Sequence, residues 1–187
     1  MPETSAQPRI GTAARRVDAA LDPRTGEPRR PAVVWAASVL FLTGLGFVVA
    51  GVLWAFWRSV REFPDASWLT GVVPTEPGSL TRVLMVTALF VATLLVGAAT
   101  IIASHYAWRG FAWARWAGVV AAGTTLSALV VNPVAWIGIP LVLVGAVLLW
   151  TPPARSFFAR WHARRHPVPP VIEDPAPVRY GPLPRYR

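Results

Sequence analysis

The sequence predicts an all-α, polytopic membrane protein, with four transmembrane helices in a left-handed bundle and a tight helical hairpin formed by the last two. Three observations support this prediction, and the first two concern composition. Hydrophobic residues make up 54% of the 187 residues and charged residues only 14%, against about 25% charged in soluble domains. The third observation is that uncharged apolar runs recur along the chain, close to the length of roughly 20 residues that a bilayer-spanning helix needs.

The first two spans are the clearest elements of a transmembrane domain that covers residues 32–150. One uncharged run extends over about 32–57 and a second over about 83–104, and both exceed the lower limit of about 17 residues for a spanning helix. The preceding residues, 1–31, are polar and rich in proline and arginine, which predicts a disordered cytoplasmic arm. Residues 58–82 then form an outer loop.

The third and fourth spans are shorter, at about 112–131 and 134–150, and are separated by Asn132 and Pro133. A link of two residues requires that the helices on either side run antiparallel, so we expect a helical hairpin. Because both apolar runs lie near the lower length limit, the hairpin either crosses the bilayer fully or re-enters from one side.

A basic amphipathic juxtamembrane helix is predicted over 151–166, followed by a proline-rich disordered cytoplasmic tail at 167–187. Aromatic residues of the helix share one face and arginines flank it, which is typical of a segment lying in the lipid interface. We assign seven residues to contact with anionic inner-leaflet lipids: Arg155, Phe157, Phe158, Arg160, Trp161, Arg164 and Arg165. The alternatives are a general topology anchor or a docking surface for a cytoplasmic partner. No nucleic-acid partner is expected, because this charge lies beside the membrane.

The distribution of arginine predicts the orientation. All 18 basic residues are arginine, and 15 of them lie in the N-terminal arm, the loop between the second and third spans, or the segment after the fourth span. The first loop carries only three arginines, balanced by three acidic residues. Under the positive-inside rule both termini are cytoplasmic, in a multi-pass protein of the bacterial inner (plasma) membrane.

Small residues at regular spacing predict how the helices pack, since close approach of backbones drives association in lipid. The candidate packing residues are Ala37, Gly44, Gly51, Gly118, Ala122, Gly138 and Gly145. The third span has the longest small-residue face, so we expect it at the centre of the bundle. Two interpretations stay open: these faces pack the monomer only, or the stripe on the first span docks a membrane-protein partner or a second copy of the chain.

Few residues are suited to catalysis. The chain has no cysteine, and no span carries an ionisable residue in its core, where transporters, pumps and membrane enzymes usually have one. His162 and His166 are four residues apart on the predicted last helix, but no acidic residue lies close to them in sequence to complete a metal site. We therefore expect no enzyme activity, no cofactor and no metal.

The leading functional hypothesis is a non-catalytic accessory or scaffold membrane protein that acts through helix–helix and inner-leaflet lipid contacts. Hydroxyl residues within the spans leave an alternative, a small transporter or channel subunit with a hydroxyl-lined path. A membrane enzyme with an unrecognised site is the second alternative.

Two short motifs form a recurrent layout: RGFAWARW at residues 109–116, between the second and third spans, and PPARSFF at residues 152–158, after the fourth. This layout resembles that of uncharacterised small four-helix integral membrane proteins of high-GC actinobacteria. The resemblance extends over roughly residues 32–165 and implies no particular activity.

Overall fold

A computed structural model describes residues 21–22, 24–61 and 79–167. Helices account for 81% of these residues and none of them belongs to a strand, which confirms the all-α prediction. Most of the predicted arm, almost all of the outer loop and almost the whole C-terminal tail lie outside the described residues. The described end of the arm forms a turn, in which Leu21 and Pro28 make an isolated antiparallel bridge.

Two long helices precede a series of shorter ones. The long helices are α1 (Ala32–Arg61) and α2 (Leu80–Trp108). The shorter helices are α3 (Ala114–Thr125), which continues into a 3-10 helix (Leu126–Val130), then α4 (Pro133–Trp136), α5 (Gly138–Leu148) and α6 (Pro152–Arg165).

The long helices meet the requirements for crossing a membrane. In α1 the apolar segment is Ala32–Arg58 and in α2 it is the whole helix, Leu80–Trp108. The apolar segment Ala114–Val130 is shorter, and the helices over Pro133–Leu148 and Pro152–Arg165 meet at a bend of 58°. By length and composition, two of the described helices are therefore able to cross a membrane, or three elements are if the bent pair forms one span.

Helix α1, rather than the third predicted span, lies at the centre of the fold. It contacts α2, α4, α5 and α6, whereas α3 packs mainly on α2 and α5. Buried residues recur along α1 at three- and four-residue intervals, from Val34 to Ala55, which is the spacing of one helical face. The expectation that the third span is central is wrong, because its small-residue face is shorter than the buried stripe of α1.

The Asn132–Pro133 link is held against α1 by a side chain. Asn132 caps α4, since its Oδ1 accepts a hydrogen bond from the backbone N–H of Ala135 at 3.0 Å. Its Nδ2 donates to the carbonyl of Gly51 at 2.7 Å. One amide thus begins a helix and also fixes that helix to α1, at the end of the bundle remote from α6.

Candidate functional site

Helix α6 folds back onto the bundle and buries two of the residues that we assigned to lipid. Phe157 is 0% exposed and Phe158 is 2% exposed, and both belong to a core cluster that includes Val34 and Phe41 of α1. Their predicted contact with lipid is therefore wrong. Aromatic residues on one helical face fit a protein core as well as a lipid interface, and the bend before α6 directs this face to the core.

A glycine between α2 and α3 allows α6 to dock. Gly110 has a positive φ of 75°, and a Cβ added to it would overlap Cδ1 of Trp161. The indole of Trp161 therefore packs directly on the backbone of the α2–α3 connection. This role of Gly110 was not predicted from the sequence, although a glycine just after a helix end is a common signal for a left-handed residue.

Arg165 fixes the end of α6 to the same connection. Its guanidinium donates to the carbonyls of Arg109, at 2.5 Å, and Gly110, at 3.2 Å. The guanidinium also lies 3.9 Å from the ring centre of Phe111 and 4.8 Å from that of Trp161. Arg165 is thus used to hold protein together, which makes it less available to lipid than we expected.

The turn before α1 joins this end of the molecule. Arg164 donates a hydrogen bond to the carbonyl of Gly26. Arg30 lies over the ring of Trp108 at 4.9 Å, and its Nε donates to the Trp108 carbonyl at 3.5 Å. Residues from both ends of the described chain therefore meet beside α6.

A cationic cleft of about 550 Å³ lies between α3 and α6. Its positively charged and titratable lining residues are Arg115 from α3 and Arg155 and His162 from α6. The described residues that line it include no carboxylate; the others are Ala112, Ser156, Phe158, Ala159 and Ala163.

Packing sets the position of Arg115 within this cleft. Its Nε donates to the carbonyl of Ala112 at 3.1 Å, and its guanidinium lies 5.1 Å from the ring centre of Trp150. One face of the guanidinium is therefore covered by an indole, and Arg155 and His162 are exposed on the facing helix. This arrangement suits an anion, because guanidinium groups bind phosphate and carboxylate oxygens through charge-assisted hydrogen bonds.

Arg160 and Trp161, which we also assigned to lipid, are half-buried. The Nε of Arg160 and the Nε1 of Trp161 are buried without a hydrogen-bond partner among the described residues. Arg155 and Arg164 are exposed. The arginines of α6 therefore divide between the cleft and the contacts that dock the helix.

The predicted packing glycines of α1 face α4 and α5 within the same chain. A Cβ on Gly44 would lie 3.0 Å from the carbonyl oxygen of Gly138, and one on Gly51 would lie 2.7 Å from the Cβ of Ala135. A Cβ on Gly145 would lie 3.3 Å from the carbonyl oxygen of Ala37. The stripe on α1 is thus occupied inside the chain, which removes it as a docking face for a partner.

The two predicted packing residues of α3, Gly118 and Ala122, also lie at contacts within the chain. Gly118 approaches Phe41 and Leu149, with 3.3 Å from a built Cβ to Cζ of Phe41. Ala122 is buried in the core cluster that also contains Phe157.

Hydroxyl groups of the helices mostly bond to their own backbone. Thr93, Thr100, Thr124, Thr125 and Ser127 each donate to a carbonyl three or four residues earlier. Such bonds satisfy the hydroxyl hydrogen within its own helix.

The two histidines at the end of α6 lie side by side, with ring centres 4.7 Å apart. Among the described residues no group of three or more histidine, aspartate, glutamate or cysteine side chains is close enough to hold a metal ion.

Comparisons of the chain with protein families, curated proteins and solved structures found no match.

Proposed function

We propose that this protein is a four-span inner-membrane protein, with both termini in the cytoplasm, that acts as a non-catalytic accessory or scaffold subunit and binds anionic lipid headgroups of the inner leaflet. In this proposal α3 with its 3-10 helix and α4 with α5 form the third and fourth spans, as a tight hairpin. Helix α6 then lies at the cytoplasmic interface, which also contains most of the arginines.

The observation that carries the proposal is the cleft between α3 and α6. Arg115 and Arg155 come from different helices, and His162 lies one helical turn beyond the midpoint of α6. Because no described residue of the lining is a carboxylate, these cationic side chains together attract an anion. Arginines near a membrane surface each add about 1 kcal/mol of attraction to acidic lipid. A phosphate headgroup meets both the charge and the position of this cleft.

The docked position of α6 favours a structural role. Because Arg165 bonds two backbone carbonyls of the α2–α3 connection, α6 is a fixed part of the bundle rather than a free tail. A rigid cationic surface at the membrane interface can present the same geometry to lipid in every copy of the protein.

A hydroxyl-lined transport path has less support, because Thr93, Thr100, Thr124, Thr125 and Ser127 bond to their own helices.

The cleft is tested by measuring lipid-dependent stability of the purified full-length protein. Phosphatidylglycerol is expected to raise the unfolding midpoint relative to phosphatidylcholine, because a ligand that binds only the folded state stabilises it, by about 2.7 kcal/mol at a hundredfold excess over Kd. Replacing both cleft arginines, Arg115→Gln with Arg155→Gln, is expected to remove most of this gain.

The matched control is Arg58→Gln with Arg61→Gln, which also removes two arginine charges, at the C-terminal end of α1, where Arg61 lies over Trp57. It should keep the gain. Two results contradict binding at the cleft. One is an equal rise of the unfolding midpoint in wild type and in the variant that lacks Arg115 and Arg155, and the other is a control that loses as much of the rise as that variant does.

A further inference from the structure

A groove lies between α1 and α2, at the end where α1 begins and α2 ends. Its volume is about 410 Å³, within the range of about 300–1,000 Å³ that is usual for small-molecule sites. Trp35 and Leu42 of α1 and Ile101 of α2 line it, and each of these side chains is more than half exposed. The groove therefore opens sideways from the helix bundle, towards the hydrocarbon in the membrane placement proposed above.

The inner wall of the groove is polar. It contains Ser38 and Ser104, which are 7% and 6% exposed, together with the exposed His105. The Oγ of Ser38 has no hydrogen-bond partner among the described residues. Thr100, which is also buried on α2, differs because it donates to the carbonyl of Val96 at 2.6 Å.

The unpaired hydroxyl of Ser38 points to a ligand atom that accepts a hydrogen bond. A buried polar group left without a partner costs about 1–3 kcal/mol, and a serine in a helix ordinarily avoids this cost by bonding back to its own backbone. Ser38 does not do so, and it is one of the residues that line the groove.

Polarity changes along the groove from one end to the other. Arg30 lies at the polar end, over the ring of Trp108, and Trp108 lines the groove. Glu27 is 3.7 Å from Arg30, but exposed pairs of this kind contribute little and leave the guanidinium able to bind an anion. Leu42 and Ile101 each lie seven residues from the tryptophan on their own helix, about 10 Å further along the axis, and make the other end apolar.

We propose that this groove binds one phospholipid molecule with an acidic headgroup. The phosphate lies at Arg30, an ester carbonyl accepts a hydrogen bond from Ser38, and the acyl chain follows Leu42 and Ile101. A transmembrane helix fits less well as the occupant, because the groove has an arginine at one end and apolar side chains at the other, which is the polarity of a phospholipid rather than of a uniformly apolar helix. This inference rests on the membrane placement in the proposed function but uses a site separate from the α3–α6 cleft.

The test uses phosphatidylglycerol that carries a photoactivatable diazirine in one acyl chain. The full-length protein is reconstituted into phosphatidylcholine vesicles with a limiting amount of this probe, irradiated, digested and analysed by mass spectrometry. Adducts are expected to concentrate on the segments around Leu42 and Ile101. Ser38→Ala is expected to reduce their yield about two- to tenfold, the effect of losing one hydrogen bond.

Filling the groove gives an independent variant. Leu42→Trp is expected to abolish these adducts, whereas Leu94→Trp, at a highly exposed position of α2 outside the groove, should leave them unchanged. Adducts spread evenly over the exposed faces of α1 and α2, or a yield unaffected by both Ser38→Ala and Leu42→Trp, overturn the proposal. In the cysteine-free chain, a disulfide-linked dimer formed in the membrane by Leu42→Cys also overturns it, since the occupant of the groove is then a second copy of the chain.

The two proposed lipid sites can be tested independently of each other. Arg155→Gln removes charge from the cleft only, so adducts in the groove should persist even if lipid-dependent stabilisation is lost. Conversely, loss of the groove adducts in Ser38→Ala with unchanged stabilisation through the cleft supports the groove as a site of its own.

Discussion

The contact between α1 and α4 gives the sharpest prediction, because one glycine substitution there can be compared with the same substitution five residues away on the same helix. Gly51 faces α4, and a Cβ built on it would lie 2.7 Å from both the Cβ and the backbone nitrogen of Ala135. Gly46 has nothing within 4 Å of its built Cβ. Gly51→Ala should therefore separate two helices, while Gly46→Ala should disturb neither.

The magnitude follows from three contributions. Ordinary contacts of a Cβ are 3.4–4 Å, so α1 and α4 must move apart by about 1 Å, and overpacking of this kind costs about 1–3 kcal/mol. The same movement breaks the 2.7 Å hydrogen bond from Asn132 to the Gly51 carbonyl, with a net loss of about 0.5–1.5 kcal/mol. Alanine gains about 0.8–1.0 kcal/mol of helix propensity over glycine, but it gains this at both positions.

Because the propensity gain cancels, Gly51→Ala should be less stable than Gly46→Ala by about 1.5–4.5 kcal/mol. The assay is reversible unfolding of the purified protein in mixed micelles, with denaturing detergent as the variable and tryptophan fluorescence as the signal. Equal free energies of unfolding for the two variants would refute the close approach of α1 and α4.

Three further predictions concern the docking of α6 and the topology. Gly110→Ala should release α6, because its Cβ would overlap the indole of Trp161 and a left-handed alanine costs about 1–2 kcal/mol. The expected result is faster hydrogen exchange confined to the α6 peptides, and exchange equal to wild type would contradict the prediction. Arg165→Lys should also release α6 and weaken its docking by about 1–3 kcal/mol, since lysine lacks the planar fork that bonds two carbonyls and stacks on two rings. Hydrogen exchange of α6 equal to wild type in this variant would contradict the prediction. The chain has no cysteine, so single cysteines report the topology. Under the positive-inside rule, Arg187→Cys should react with an impermeant maleimide only after the cells are lysed, whereas Ser67→Cys should react in intact cells. The reverse pattern would show the opposite orientation.

The helical character of the chain and its longest helices were predictable from local sequence. Uncharged runs of more than 20 residues have one stable backbone arrangement in lipid, in which every peptide group is bonded within its own helix. Asn132 and Pro133 likewise predicted a helix end followed by a helix start, and Asn132 caps α4 as its residue type favours.

The candidate site was predictable only in part. Arginines near the last helix indicated an anion-binding region, and Arg155 lies in the cleft, but Arg165 instead bonds the carbonyls of Arg109 and Gly110. Arg115 joins the cleft from another helix, and Ser38 faces a groove completed by α2. Pairings between residues so far apart in sequence depend on helix packing, which periodicity does not specify.

By itself the sequence determined that this protein is helical and apolar, where its helices break and how its arginines are distributed. The tertiary structure alone decided that the glycine stripe of α1 packs on α4 and α5, that α6 folds back, and that Phe157 and Phe158 enter the core. The physical reason is that lipid and protein interior are both apolar, so in a membrane protein an apolar face does not reveal which of the two it meets. Close approach of small residues and a few side-chain hydrogen bonds make that choice, and they exist only once the helices are assembled.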